Sequence, residues 1–117
     1  MAEIICKNGN GRYSETVEYN GTLYLSGIVG DTPYATVEQQ TKETLAEIDR
    51  ILGANGTDKE HILKAQVFLA DIATVAEMNK VWDAWVVKGH EPVRICSESR
   101  LVSPAWRVEI MLEAAVQ

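Results

Sequence analysis

The sequence predicts an α+β fold in which two helices cover one face of a single β-sheet, in the chain order β-β-β-α-β-α-β-β. Three observations support this prediction: an Asn-Gly turn between two apolar stretches, two helical segments that begin with capping motifs, and two stretches near the end in which apolar and polar residues alternate. The 117 residues fit one domain spanning residues 1–117, with no repeat, linker or low-complexity segment.

A β-hairpin is predicted near the start of the chain. Residues 13–18 and 23–29 have strand composition, and Asn20-Gly21 between them favours the positive-φ turn of a tight hairpin. A short strand over residues 4–7 is expected to precede this hairpin.

Both helices are predicted from a cap and from apolar spacing. Thr36-Val37-Glu38-Gln39 matches a capping box, in which the Thr and Gln side chains satisfy first-turn amides reciprocally. Apolar residues then recur at helical spacing until Gly53. Thr74-Val75-Ala76-Glu77 repeats the cap, and its apolar run continues through Val86 to a stop at Gly89. Both apolar stripes are interpreted as core faces.

Three further strands are predicted, over residues 62–69, 93–100 and 107–116. Side chains alternate between the faces of a strand. In the last strand, the apolar face consists of Val108, Ile110, Leu112, Ala114 and Val116. If the apolar faces contact the helices, then Arg94, Cys96 and Glu109 all project from the helix-free side. That side is mixed in polarity, which suits a wet interface between subunits.

The charge balance disfavours nucleic acid as a partner. The formal net charge is -6, and the eleven Lys and Arg residues are scattered rather than clustered. Nucleic-acid binding normally requires a basic patch or stripe. The N-terminus also resembles no signal peptide, and no stretch approaches the length of a membrane span. We therefore expect a cytoplasmic protein without membrane contact.

No cofactor or metal is expected. Cys6 and Cys96 form no CxxC motif and are expected to be free thiols. The two histidines, His61 and His90, have no metal-ligand spacing. The glycine pattern Gly9-Asn10-Gly11 is too short for a phosphate loop and leads into a strand.

Arg94 and Glu109 are the candidate residues for carboxylate binding and for acid–base catalysis, respectively. A guanidinium binds a carboxylate bidentately and stays charged at every working pH, although an ordinary ion-paired arginine has the same sequence signature. Glu109 can serve as a general acid or base if it is partly desolvated, or it is a solvated residue on a strand face. Neither histidine can be placed near Cys96, so a packed thiol is favoured over a nucleophile.

The segment Pro92-Val93-Arg94-Ile95-Cys96 resembles the signature of the Rid family, also called YjgF or endoribonuclease L-PSP. The family's final Val-Glu-Ile strand is matched by Val108-Glu109-Ile110. Tyr13-Ser14, Ser26-Gly27 and Asn79 also match the family pattern. The stretch from Met78 to Arg94 is similar to a divergent bacterial branch with the segment MNKxWDAWVxxGHxPVR.

The resemblance implies a chorismate-mutase-like fold and a homotrimer with clefts between neighbouring subunits. Active members hydrolyse reactive enamines and imines, such as 2-aminoacrylate, to 2-keto acids and ammonia. Carried over to this sequence, Arg94 holds the substrate carboxylate, Glu109 orients the attacking water, and Tyr13 lines the pocket. The backbone of Cys96 and the pair Ser26-Gly27 are expected near the substrate.

The sequence also departs from the active branch, which leaves the substrate open. Around Tyr13 it reads Gly11-Arg12-Tyr13-Ser14-Glu15-Thr16, where active members usually read Gly-Pro-Tyr-Ser-Gln-Ala. Trp106 stands where a smaller residue is common, so we count it among the expected substrate-binding residues.

Three function classes therefore remain from the sequence. The first is an imine and enamine hydrolase. The second is a non-catalytic trimer that binds small carboxylated metabolites such as 2-keto acids, which needs Arg94 but not Glu109. The third, a ribonuclease, is disfavoured by the acidic charge and by the lack of a placed histidine pair.

Overall fold

Two α-helices and a six-stranded sheet form the part of the chain that the computed structural model describes, residues 2–116. The chain order of strands and α-helices agrees with the predicted one, and two short 3₁₀ helices, Lys59–His61 and Ile72–Thr74, were not predicted. The elements are β1 (Ile5–Lys7), β2 (Thr16–Tyr19), β3 (Thr22–Leu25), α1 (Val37–Ala54), β4 (Ile62–Leu69), α2 (Val75–Trp85), β5 (Val93–Glu98) and β6 (Val108–Ala115).

The sheet has the strand order β1-β2-β3-β6-β4-β5. Neighbouring strands are antiparallel except for β4 and β5, which are parallel. The hairpin of β2 and β3 is confirmed, and Asn20 and Gly21 both have positive φ, 54° and 82°, as a type I′ turn requires. The last strand, β6, lies between β3 and β4, so it joins the N-terminal hairpin to the remaining strands.

One face of the sheet packs against both helices. Alternate residues of β3, β4 and β6 are buried there in a single hydrophobic core, and the apolar stripes of α1 and α2 cover them. The intervening residues, such as Tyr24, Phe68 and Met111, are half-buried or exposed on the opposite face. The prediction that both helices cover one face of a single sheet is therefore confirmed.

The two predicted capping boxes form only in part. At α1, the Thr36 hydroxyl accepts from the Gln39 amide at 3.1 Å, but the Gln39 side chain bonds to Glu43 and Thr32 instead of returning to Thr36. At α2, the Thr74 side chain makes no cap bond. A 3₁₀ turn occupies this position, and its own cap, Asp71, accepts from the Ala73 amide.

The helix ends also differ from the prediction. The first helix runs one residue past Gly53, to Ala54. The second ends at Trp85, because Val86 already has an extended backbone with ψ 144°, and Gly89 lies in a later turn with φ 90°. Val86 is nevertheless buried, so its apolar character reflects the core rather than a continuing helix.

A buried glutamine joins two loops to α1. The Gln40 amide nitrogen donates to the carbonyls of Ala105 and Thr32, at 2.9 and 3.1 Å. Its oxygen accepts from the Arg107 amide at 2.7 Å. A buried polar side chain is costly unless its bonds are made, and all three partners here are backbone groups. Gln40 thereby fixes the loop that leads into β6.

The carboxylate of Glu43 holds the loop before α1. One oxygen accepts from the amides of Asp31 and Thr32, at 2.9 and 3.0 Å, and the other accepts from the Thr32 hydroxyl at 2.7 Å and from Gln39. These bonds, above all that from the Thr32 hydroxyl, lower the pKa of Glu43 to about 2. A Cβ at Gly30 would lie 2.7 Å from the carboxylate, so this approach requires glycine.

We predict that Glu43 contributes to acid sensitivity. Because its folded pKa is depressed, its contribution to stability is fully present above about pH 4.5 and is lost as the pH falls towards about 2. Glu43→Gln should flatten the pH dependence of the urea midpoint in that range, and Thr32→Val should flatten it partly. A Glu43→Gln profile that runs parallel to wild type through this range would contradict the prediction.

Candidate functional site

Arg94 lies on the edge strand β5 and reaches towards α2. Its Nη1 donates to Asn79 Oδ1 at 2.9 Å and lies 4.0 Å from the sulfur of Met78. The guanidinium carbon lies 5.2 Å from the ring centroid of Trp82, within the range of a cation–π contact. Three residues of one helix therefore contact the charged group of Arg94.

The prediction that Arg94 and Cys96 project from the helix-free side is wrong. In the parallel pairing, Arg94 lies beside Ala65 and Cys96 beside Val67, both of which are fully buried under the helices. The thiol of Cys96 is free and half-buried against the core. The outward side chains of β5 are instead Val93 and Ile95, which are 69% and 58% exposed.

Glu109 lies on the helix-free face, as predicted. It pairs with Phe68 in β4 and is half-buried. Its carboxylate packs directly over Gly27, where an added Cβ would lie 2.1 Å from Oε2 and 2.9 Å from Cδ. Ser26 precedes this glycine just after β3, and its amide donates to the Glu15 carbonyl at 3.0 Å. Glu109, Ser26 and Gly27 therefore lie together.

The Arg94 and Glu109 side chains are well separated within one chain. Their partners in β4, Ala65 and Phe68, are three residues apart, which corresponds to about 10 Å along the strand. The strands β5 and β6 flank β4 and so are about 10 Å apart, and the two side chains point to opposite faces. One small ligand cannot contact both groups of the same chain.

Tyr13 and Trp106 lie in loops. In the loop before β2, the Asn10 side-chain oxygen accepts hydrogen bonds from the amides of Arg12 and Tyr13. The side chains of Arg12 and Tyr13 are exposed. Trp106 is half-buried and lines a cavity of ≈ 460 Å³ with Ala70, Arg100, Leu101, Ser103 and Pro104. Neither Arg94 nor Glu109 lines this cavity.

Sequence reasoning gave no role to the residues that hold Arg94. Asn79 is predicted only as a match to the family pattern, and Trp82 lies in the apolar run of the second helix that is predicted to face the core. They are three residues apart in one helix, and residues at this spacing share a face. That spacing, opposite an arginine on a neighbouring strand, is the signal that could have identified them.

Residues 2–116 contain neither a cluster of metal ligands nor a membrane-spanning helix. No group of three or more His, Cys, Asp or Glu side chains is arranged to hold a metal ion. None of the described helices is long and apolar enough to cross a membrane.

Comparison with known proteins identifies the family. A family model described as Endoribonuclease L-PSP matches residues 7–116. The RutC family protein YoaB of Escherichia coli K12 is 44% identical over 113 residues, 97% of this chain and 98% of that protein. The crystal structure of NMB1025, a YjgF family member from Neisseria meningitidis, has a TM-score of 0.94 and 46% identity, covering 98% of this chain and 96% of that one.

A more distant relative has a named reaction. The 2-iminobutanoate/2-iminopropanoate deaminase of Mus musculus is 30% identical over 106 residues, 86% of this chain and 78% of that protein. The family model spans nearly the whole chain, and the relatives match it over most of their length. The chain therefore belongs to the endoribonuclease L-PSP family, the Rid or YjgF family that its sequence resembles.

Proposed function

We propose that the protein hydrolyses imines and enamines derived from amino acids, such as 2-aminoacrylate, to 2-keto acids and ammonia. The sites lie between neighbouring subunits of a homotrimer, with Arg94 from one subunit and Glu109 from the next. The observation that carries the proposal is the arginine itself, whose guanidinium is held by α2 at the edge of the sheet.

Arg94 is available to bind a carboxylate. Its single bond to a polar side chain of residues 2–116 is the one from Nη1 to Asn79, and no described carboxylate lies within ion-pair distance of it. The remaining donors of the guanidinium fork match a carboxylate bidentately. Substrate and product both carry that group, so Arg94 anchors the ligand throughout the reaction.

Glu109 is suited to the hydrolytic step. Its carboxylate orients a water molecule towards the C=N carbon and takes a proton as the water adds. Glu109 passes this proton to the imine nitrogen, which gives a neutral carbinolamine. Transfer of the hydroxyl proton to nitrogen, again through Glu109, then breaks the C–N bond and releases the keto acid and ammonia. An enamine substrate first tautomerises to the imine. Tyr13, Trp106, Ser26-Gly27 and the Cys96 backbone line the pocket in this proposal.

The separation of Arg94 and Glu109 supports a site between subunits. The helix-free face exposes Tyr24, Met111 and Ile95, and exposed apolar side chains grouped on one face are typical of a surface that another protein covers. In the proposed trimer, this face packs against the β5 edge of another copy. Because a ring of three copies is closed, each helix-free face is covered by a neighbouring subunit. Such a ring brings an Arg94 of one copy to a Glu109 of the next.

A non-catalytic binder of 2-keto acids is the second candidate. The residues that hold Arg94 all lie in one chain and make no contact with Glu109, so the described structure can anchor a carboxylate without the hydrolytic group. The mouse relative's printed name supports the hydrolase. The name of the E. coli relative specifies no reaction.

We predict that Arg94 and Glu109 variants separate binding from turnover. Arg94→Ala should abolish both 2-keto acid binding and imine hydrolysis, since losing one partner of a desolvated charge pair costs about 2–5 kcal/mol. Glu109→Gln should bind nearly as wild type but lose roughly 10²- to 10⁴-fold in rate. Calorimetric titration with a 2-keto acid, beside an assay of imines generated in situ, measures both. Normal turnover by Glu109→Gln would refute its role, and a wild type that binds without turnover would favour the binder.

We also predict that Gly27→Ala impairs hydrolysis by displacing Glu109. The new Cβ would overlap the carboxylate, and the flexible side chain must swing away from it. A misplaced catalytic group lowers the rate by roughly 10²-fold. Gly53→Ala is the matched control, because a Cβ there meets nothing within 4 Å. Equal rates for Gly27→Ala and Gly53→Ala would mean that the position of Glu109 over Gly27 has no catalytic importance.

A further inference from the structure

We propose that Trp82 positions Arg94 for carboxylate binding, in addition to its place in the core. The inference rests on the proposed function, because the group that Arg94 binds there is the carboxylate of the imine or keto acid. Trp82 is only 6% exposed, and it presents the face of its ring to the guanidinium. It acts through Arg94 and does not itself touch the reacting atoms.

Two contacts restrict the guanidinium in different ways. The Trp82 ring, 5.2 Å from the guanidinium carbon, restricts its distance from α2. The bond from Nη1 to Asn79 restricts the rotation of the guanidinium group above the Trp82 ring. Neither contact occupies Nε or Nη2, so a carboxylate can still approach the fork. A free arginine side chain loses much conformational freedom when it binds a ligand, which weakens binding. Here Trp82 and Asn79 restrict the side chain before the ligand binds, so this entropy cost is smaller.

Trp82 also packs against Trp85 of the same helix, with ring centroids 5.5 Å apart and planes inclined by 49°. The Trp85 indole nitrogen donates to Asp49 of α1 at 3.0 Å, and the Lys59 amine lies 5.4 Å from the centre of the same ring. The Trp85 ring that packs against Trp82 is therefore anchored to the other helix.

Trp82→Phe and Trp82→Leu test the proposal, with Trp85→Phe as the matched control. The control keeps an aromatic ring against Trp82 and removes an indole of the same helix that makes no hydrogen bond or cation–π contact with Arg94. Leucine keeps apolar volume but has no aromatic face, whereas phenylalanine keeps a weaker one. Melting temperatures of all three variants establish that they are folded. If Trp82→Leu does not fold, Trp82→Phe carries the test.

The first readout needs no ligand. In nitrogen-15 NMR spectra, the Nε–H signal of Arg94, assigned by its disappearance in Arg94→Lys, should be shifted by the ring current of Trp82. The signal should move towards those of exposed arginines in Trp82→Leu, move partway in Trp82→Phe, and stay in place in Trp85→Phe. An unchanged signal in the folded Trp82 variants would overturn the inference.

The second readout is calorimetric titration with 2-oxobutanoate. Loss of the prior restriction of Arg94 should weaken binding by roughly 2- to 13-fold in Trp82→Leu, and by less in Trp82→Phe. Equal affinities for wild type and Trp82→Leu would overturn the positioning role while leaving the proposed function intact. If the wild type binds no 2-keto acid, the proposed function fails, and the NMR spectra alone decide whether Trp82 positions Arg94.

Discussion

The pairing register of strand β4 determines where the functional groups lie. β4 pairs in parallel with β5 and antiparallel with β6, which sets Arg94 beside Ala65 and Glu109 beside Phe68. Ala65, Val67 and Leu69 are fully buried, and a shift of one residue would move all three to the other face. The hydrophobic core therefore fixes the register, and the register places Arg94 and Glu109 on opposite faces.

In the proposed function, this arrangement gives each chain two separate halves of a site. One half is Arg94 with Asn79 and Trp82 at the edge of the helix-covered face, and it supplies a fixed positive charge. The other is Glu109 over Gly27 on the helix-free face, and it supplies a carboxylate beside a backbone without a side chain. In the proposed homotrimer, a second copy that covers the helix-free face would complete the site. The proposal therefore links assembly and chemistry through the same surface.

Local signals in the sequence predicted most of the fold. The Asn20-Gly21 turn and the apolar stripes of both helices depend on nearby residues, and the structure confirms them. The face of β5 was misjudged because Val93 and Ile95 are apolar yet exposed on an edge strand, which alternation alone cannot reveal. The contacts of Asn79 and Trp82 with Arg94 and the bonds of Gln40 depend on long-range packing. The spacing of Asn79 and Trp82 puts them on one face of α2, but it does not by itself show that Arg94 lies against that face.

The most direct test of the intersubunit site is to mix two inactive variants. Arg94→Ala and Glu109→Gln subunits are unfolded together, refolded as a 1:1 mixture and assayed for imine hydrolysis, after mass spectrometry has established that mixed oligomers form. If the two groups act from different subunits, about a quarter of the sites in randomly mixed trimers contain both native residues, so about a quarter of wild-type activity should return. If mixed oligomers form and remain as inactive as either variant alone, Arg94 and Glu109 do not act across a subunit interface.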